Sequence, residues 1–224
     1  MIDRQTQLMA VWTLLAVILI VVGVVLFSNK TPSPTTDSGP PASPITARDH
    51  TFGPLDAKVS IIEYGDFQCP ACGLYEPVME QLRSRYASTT LFVFRNFPLP
   101  QHGNALAAAK VAEAAALQGK YWEMVGILYA KQKEWSDTSM NSVVTSRFDG
   151  YAESLGLDLK KLHADMESDA VAKKITDDKA SGTAAQITGT PTFFVNYAKI
   201  ENPAGYEPFA AILDKAFAAP QTTP

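Results

Sequence analysis

The chain holds only two cysteines, and they stand together as Cys69-Pro70-Ala71-Cys72. Thiols at this spacing have three uses. A zinc site needs two further ligands, and the remaining soft candidates, His50, His102 and His163, are singly placed without ligand spacing. Two thiols can also be buried as small hydrophobes. The third use is a redox dithiol, which the context favours because the pair follows a strand-like run and opens a helix-like one. Cys69 then falls at the helix N-cap, where unpaired N–H groups and the helix dipole favour a negative charge. Thiolate is the attacking species in disulfide exchange, so Cys69 is the expected nucleophile and the exposed, alkylatable thiol. Cys72, one turn on, is the expected resolving thiol. Pro70 suits the first helical position, and Ala71 offers a methyl group and no side-chain donor.

Two further features can support such a site. Glu63 interrupts the apolar run Val59-Ser60-Ile61-Ile62-Glu63-Tyr64. It is either an exposed edge carboxylate or an acid beneath the dithiol that handles the Cys72 proton. Thr190-Pro191 precedes the run Thr192-Phe193-Phe194-Val195, and proline is tolerated at the first residue of a strand. On base rates its peptide bond is trans.

The elements that must position these residues follow from periodicity. The run from Val59 to Tyr64 reads as a buried strand ending at Gly65. Pro70 to Tyr86 reads as a helix with Leu74, Val78, Leu82 and Tyr86 on one face, kinked at Pro77. A second strand follows at Leu91–Asn96. From about Gln101 to Gln186 the sequence reads as almost wholly helical, in segments near Ala105–Leu117, Tyr121–Lys131, Asn141–Leu155, Leu159–Ser168 and Ala170–Gln186. A third strand at Thr192–Val195 and a helix at Tyr206–Phe217 close the chain. The order predicts an α/β domain over residues 50–219 with a helical insertion at about 101–186.

The first thirty residues differ in kind. Leu8 to Phe27 is a run of twenty uncharged residues, which as a helix spans ~30 Å, the hydrocarbon thickness of a bilayer. A cleaved signal peptide is the rival, but Phe27-Ser28-Asn29-Lys30 offers no small-residue cleavage site. Residues 1–7 become a short cytoplasmic tail, 8–27 a transmembrane anchor, and 28–49 a linker rich in Pro, Ser and Thr, reaching ~60 Å if extended. Asp3, Arg4 and Lys30 leave the positive-inside rule nearly silent. The 224 residues carry a net charge of −4, so no basic footprint argues for nucleic acid.

Asp66-Phe67-Gln68-Cys69-Pro70-Ala71-Cys72, Phe94-Arg95-Asn96-Phe97-Pro98-Leu99 and Gly189-Thr190-Pro191-Thr192-Phe193-Phe194-Val195-Asn196 together resemble the DsbA-like branch of the thioredoxin superfamily, over roughly residues 50–217. The resemblance implies a thioredoxin-like fold with a helical insertion. It implies that Pro191 is cis and packed against the dithiol, that Thr190 presents its backbone to substrate, and that Glu63 is the buried acid. Two departures stand out. Ala71 replaces a His that can donate to the thiolate, a donor associated with strong oxidising power. Asn196-Tyr197 replaces an Asn-Gly turn, so the hairpin there is expected to differ, since Tyr accepts φ > 0 poorly.

The expected function is an extracytoplasmic dithiol oxidase that introduces disulfides into exported proteins, with Cys69 and Cys72 catalytic and Glu63, Pro70, Ala71, Thr190 and Pro191 supporting. Disulfides persist outside the cytosol, which places the catalytic domain of this single-pass protein on the outer side of the cell membrane. Exported protein thiols are the expected substrates. The resemblance implies a membrane redox partner of DsbB or VKOR type, because no third cysteine is present to reoxidise the pair. No cofactor and no metal are expected. The alternatives are a thiol reductase or disulfide isomerase, and a tethered chaperone or binding module with a static disulfide.

Overall fold

Five strands form one sheet: β1 His50–Phe52, β2 Val59–Gly65, β3 Thr90–Asn96, β4 Thr192–Val195 and β5 Ala198–Lys199, in the spatial order β1-β3-β2-β4-β5. They are seen in a computed structural model that describes residues 39–138 and 141–219, together with Trp12 and Leu15. β2 and β3 are parallel, with Ile62 opposite Val93, and the other pairings are antiparallel. Every residue of β2 and β3 is buried, as a run covered on both faces requires.

A parallel pair needs a crossover, and helix α1, Pro70–Tyr86, supplies it. Its inward side chains, with α8 (Tyr206–Ala218), cover one face of the sheet: Met79, Leu82, Phe209 and Leu213 pack on Ile61, Phe92 and Phe193. The opposite face buries Ile62, Tyr64, Val93, Phe97 and Phe194 with Ala185 and Ile187. Between β3 and β4 lie six helices: α2 Ala105–Ala116, α3 Tyr121–Ala130, α4 Gln132–Trp135, α5 Asn141–Ser154, α6 Leu159–Met166 and α7 Asp169–Ala184. They share a core of Val111, Leu128, Trp135, Phe148, Leu162 and Ile175. That core is continuous with Phe67, Cys69 and Cys72. The insertion therefore packs directly on the cysteines. The α/β fold with a helical insertion, expected from the order of elements, is the fold observed.

Several local expectations are corrected. Leu74 is 79% exposed. The inward row of α1 runs instead through Cys72, Tyr75, Met79, Leu82 and Tyr86, a spacing of three and four that leaves Leu74 off the stripe. β1 and β5 are strands of three and two residues, too short to carry a readable period. Order also begins before His50. Ala42 is buried and donates its N–H to the Tyr197 carbonyl at 2.9 Å. Arg95 donates to the carbonyls of Ser43 and Pro44 and to both Asp49 carboxylate oxygens. A buried guanidinium needs such partners, and it draws the end of the proline-rich stretch onto the domain.

The hairpin after β4 keeps the turn that Tyr197 was expected to disfavour. Asn196 and Tyr197 both take positive φ, 48° and 67°, because a two-residue connection between twisted strands calls for that geometry. Hydrogen bonds hold it. Asn196 accepts the Ser60 N–H at its Oδ1 (2.8 Å) and donates its own N–H to the Ser60 carbonyl (2.9 Å).

The expected span Leu8–Phe27 lies, Trp12 and Leu15 apart, outside the described residues, as does the first half of the linker. Among the described residues no helix is long and apolar enough to cross a membrane.

Candidate active site

The site is built on the first turn of α1. Cys69 is its N-cap, with φ −67° and ψ 121°, and Pro70 follows as the first helical residue. The cap makes no side-chain hydrogen bond to the helix, and no acidic residue stands in the first turn. The free N–H groups and the positive end of the dipole are thus left to the sulfur.

Cys69 is 7% exposed and Cys72 is fully buried, so the expected exposed thiol is a narrowly accessible one. The two side chains are not joined. The Cys69 pKa is lowered to about 5, first by a hydrogen bond from the Cys72 thiol, then by the Thr190 side chain and by the N–H groups of Cys72 and Ala71, against the opposing effect of burial. Cys72 moves the other way and is pushed well up by burial, by its hydrogen bond to Cys69 and by the nearby charges of Glu63 and Cys69. One thiolate and one thiol, side by side, is the asymmetry that disulfide exchange uses.

The third strand completes the site from across the sheet. The Thr190-Pro191 bond is cis, as the family resemblance implied and the base rate did not. The protonated Cys69 thiol donates to the Thr190 carbonyl at 3.3 Å. The Thr190 hydroxyl is buried and makes no hydrogen bond, which leaves it free to donate once Cys69 is a thiolate.

Glu63 sits on β2, the central strand, between Phe94 of β3 and Phe193 of β4, and is 3% exposed. The edge-carboxylate reading is thereby excluded. Burial raises its pKa to about 8, helped by the charge of Glu76 and opposed by Arg83. Its charge in turn helps to raise the Cys72 pKa.

Sequence reasoning missed the residues that fix the active-site loop to the insertion. Asp66 is buried and accepts the N–H groups of Gln68 and Leu99 and the ring of His102, at 2.8, 2.9 and 2.6 Å. The Gln68 amide donates to the Ser136 carbonyl and accepts the N–H of Asn104. Gln132, at the start of α4, donates to the carbonyls of Phe67 and Cys69 at 2.7 and 2.9 Å. Their signal was faint: isolated polar residues in loops and at a helix start, whose partners across the insertion lie 33 to 68 positions away.

The arrangement can attack a disulfide with Cys69, resolve the mixed disulfide with Cys72, and hold a proton on Glu63. Among the described residues no cluster of His, Cys, Asp or Glu is placed to hold a metal ion.

Comparison with known proteins agrees with this geometry. The model of the family described as "Thioredoxin" matches residues 46–215. The oxidised BdbD of Bacillus subtilis is 22% identical, with a TM-score of 0.70 over 82% of this chain and 100% of that one. The alpha-DsbA1 of Wolbachia pipientis is also 22% identical, with a TM-score of 0.69 over 78% and 93%. The Na(+)/H(+) antiporter NhaA 3 of Salinispora tropica is 38% identical over 178 residues, 79% of this chain and 26% of the antiporter. The chain thus spans about a quarter of the length of the curated relatives it matches. A single family model covering most of the sequence, over a fold and a Cys-Pro-Ala-Cys helix start that fit it, leads to one conclusion: the chain belongs to the thioredoxin family.

Proposed function

We propose that this chain is a thiol–disulfide oxidoreductase of the DsbA-like kind, anchored in the cell membrane with its catalytic domain outside, where it oxidises the thiols of exported proteins. The observation that carries the reading is the unequal placement of the two cysteines: Cys69 caps the helix, narrowly exposed beside the Thr190 carbonyl, while Cys72 is fully buried one turn on, an asymmetry that favours a thiolate on Cys69 and a thiol on Cys72. A static structural disulfide has no use for that difference. This weighs against the tethered binding module.

In the oxidising direction a substrate thiolate attacks the Cys69 sulfur of the enzyme disulfide. The S–S bond breaks and its electron pair leaves on Cys72, which takes the Glu63 proton. A second substrate thiolate attacks the substrate sulfur of the mixed disulfide and expels Cys69, a good leaving group because its thiolate is stabilised. The reduced enzyme then needs an electron acceptor, for which a membrane partner of DsbB or VKOR type suits the anchor. The Ala71 side chain adds no donor to the thiolate, and this favours the reductase or isomerase direction as the second reading. Thiol trapping in cells separates the two. Cys69 and Cys72 mostly oxidised at steady state is the expected result, and a mostly reduced pair overturns the oxidase reading.

A further inference from the structure

The turn that carries the nucleophile lacks a donor of its own. A turn closes when a carbonyl takes the N–H three residues on, and for Phe67 that residue is Pro70, which has no N–H. Phe67 is 1% exposed, and a carbonyl so placed needs a partner. The insertion supplies one. The Gln132 side-chain amide donates to the Phe67 carbonyl at 2.7 Å and to the Cys69 carbonyl at 2.9 Å. The second of these also accepts the Gly73 N–H at 3.2 Å. The two carbonyls bracket the Gln68–Cys69 peptide unit, and with it the Cys69 angles of −67° and 121° that make it the N-cap. In that conformation the Cys69 sulfur stands at the helix N-terminus, 3.3 Å from the Thr190 carbonyl.

Gln132 is itself held in place. It opens the short helix α4, whose Trp135 is fully buried, donates its indole N–H to the Leu128 carbonyl at 3.1 Å and meets Phe148 edge-on. Its amide lies over Gly73 of α1: a Cβ there would stand 2.7 Å from Oε1 and 3.1 Å from Cδ. A side chain at position 73 would push the amide off the turn.

We propose that Gln132, seated on Gly73, is a positioning residue for Cys69, and that through it the helical insertion sets part of the oxidising power of the dithiol. Without that amide the Cys69 turn is free to swing its sulfur away from the N–H groups that open α1. The thiolate then loses donors, the reduced form loses stability relative to the disulfide, and the enzyme becomes a weaker oxidant. The disulfide form gains less from the same hold, because its sulfur carries no charge. The inference rests on the reading of Cys69 as the attacking thiolate.

The test compares the full-length parent with Gln132→Met, Gly73→Ala and the double variant, by thiolate absorbance against pH and by equilibration with glutathione. Gln132→Met keeps the length of the side chain and removes its donors. Gly73→Ala leaves Gln132 in the chain, displaces its amide, and puts a better helix former into α1, so its fold is not at risk. Each single variant should raise the midpoint of the Cys69 thiolate by about one pH unit, the scale of one lost hydrogen bond. Each should also shift the glutathione equilibrium about tenfold toward the enzyme disulfide, which is about 30 mV. The double variant should move no further than Gln132→Met alone, because both changes act through one amide. Parent-like midpoints and equilibria in both single variants, even with a lower urea midpoint, would mark a merely structural role; they would overturn the proposal and leave the oxidoreductase reading standing. Additive shifts in the double variant would overturn it as well, since Gly73→Ala would then act through something other than Gln132. A parent whose Cys69 titrates at the ordinary thiol value of about 8.5 would overturn the proposal and the reading beneath it.

Discussion

Replacing Glu63 by glutamine removes a carboxyl of nearly the same shape, and the consequence for stability depends on pH in a calculable way. The folded-state pKa of about 8 lies above the ordinary 4.5, so the folded protein holds a proton that the unfolded chain releases. Stability is therefore complete below pH 4.5 and falls as pH rises through 8. At about 1.4 kcal/mol per pKa unit, the carboxyl withdraws about 1 kcal/mol at pH 5, about 3 kcal/mol at pH 7 and close to 5 kcal/mol above pH 8. Glu63→Gln should stabilise the reduced protein by those amounts. Cys69 titrates over a similar range with the opposite slope, because its folded pKa is depressed, but it is present in both proteins and leaves the difference intact. Urea unfolding of the two reduced proteins at pH 5, 6, 7 and 8 measures it. A difference that does not change with pH would refute the reasoning, because Glu63 would then not carry the raised pKa.

Other expectations follow from the same geometry. Thiolate absorbance should give Cys69 a midpoint near pH 5, and Thr190→Val should raise it by removing a hydroxyl that can donate to the thiolate. Ala71→His, at an exposed position, should lower the Cys69 pKa and raise the reduction potential by about 30 mV per unit in glutathione equilibration; an unchanged potential would show that thiolate stabilisation does not set it. Gln132→Ala strips two loop carbonyls of their donor and should destabilise the protein by about 2 kcal/mol in urea titration.

What the sequence made legible was the part of the site written locally. Cys69, Pro70 and Cys72 announce a helix start by their own residue types, and Thr190-Pro191 marks the head of a strand. The long buried strands and the alanine-rich α2 announce themselves by period and composition. Glu63 was ambiguous because an acid in an apolar run reads the same at an edge or in the centre, and only the register against Phe94 and Phe193 decides. The clamp of Asp66, Gln68, His102 and Gln132 was invisible because the bonds that tie the loop to the insertion join residues far apart in the chain. Tyr197 was misjudged since its intrinsic dislike of positive φ is outweighed by the Asn196–Ser60 and Ala42–Tyr197 hydrogen bonds, which no local rule contains.

The division of labour between the two cysteines is tested most directly by trapping. Cys72→Ala and Cys69→Ala proteins, each incubated with glutathione disulfide near neutral pH and examined by intact mass, report which sulfur attacks and which resolves. The account predicts a rapid, persistent glutathione adduct on Cys69 in Cys72→Ala and almost none on Cys72 in Cys69→Ala. Equal adducts, or the reverse order, would contradict it.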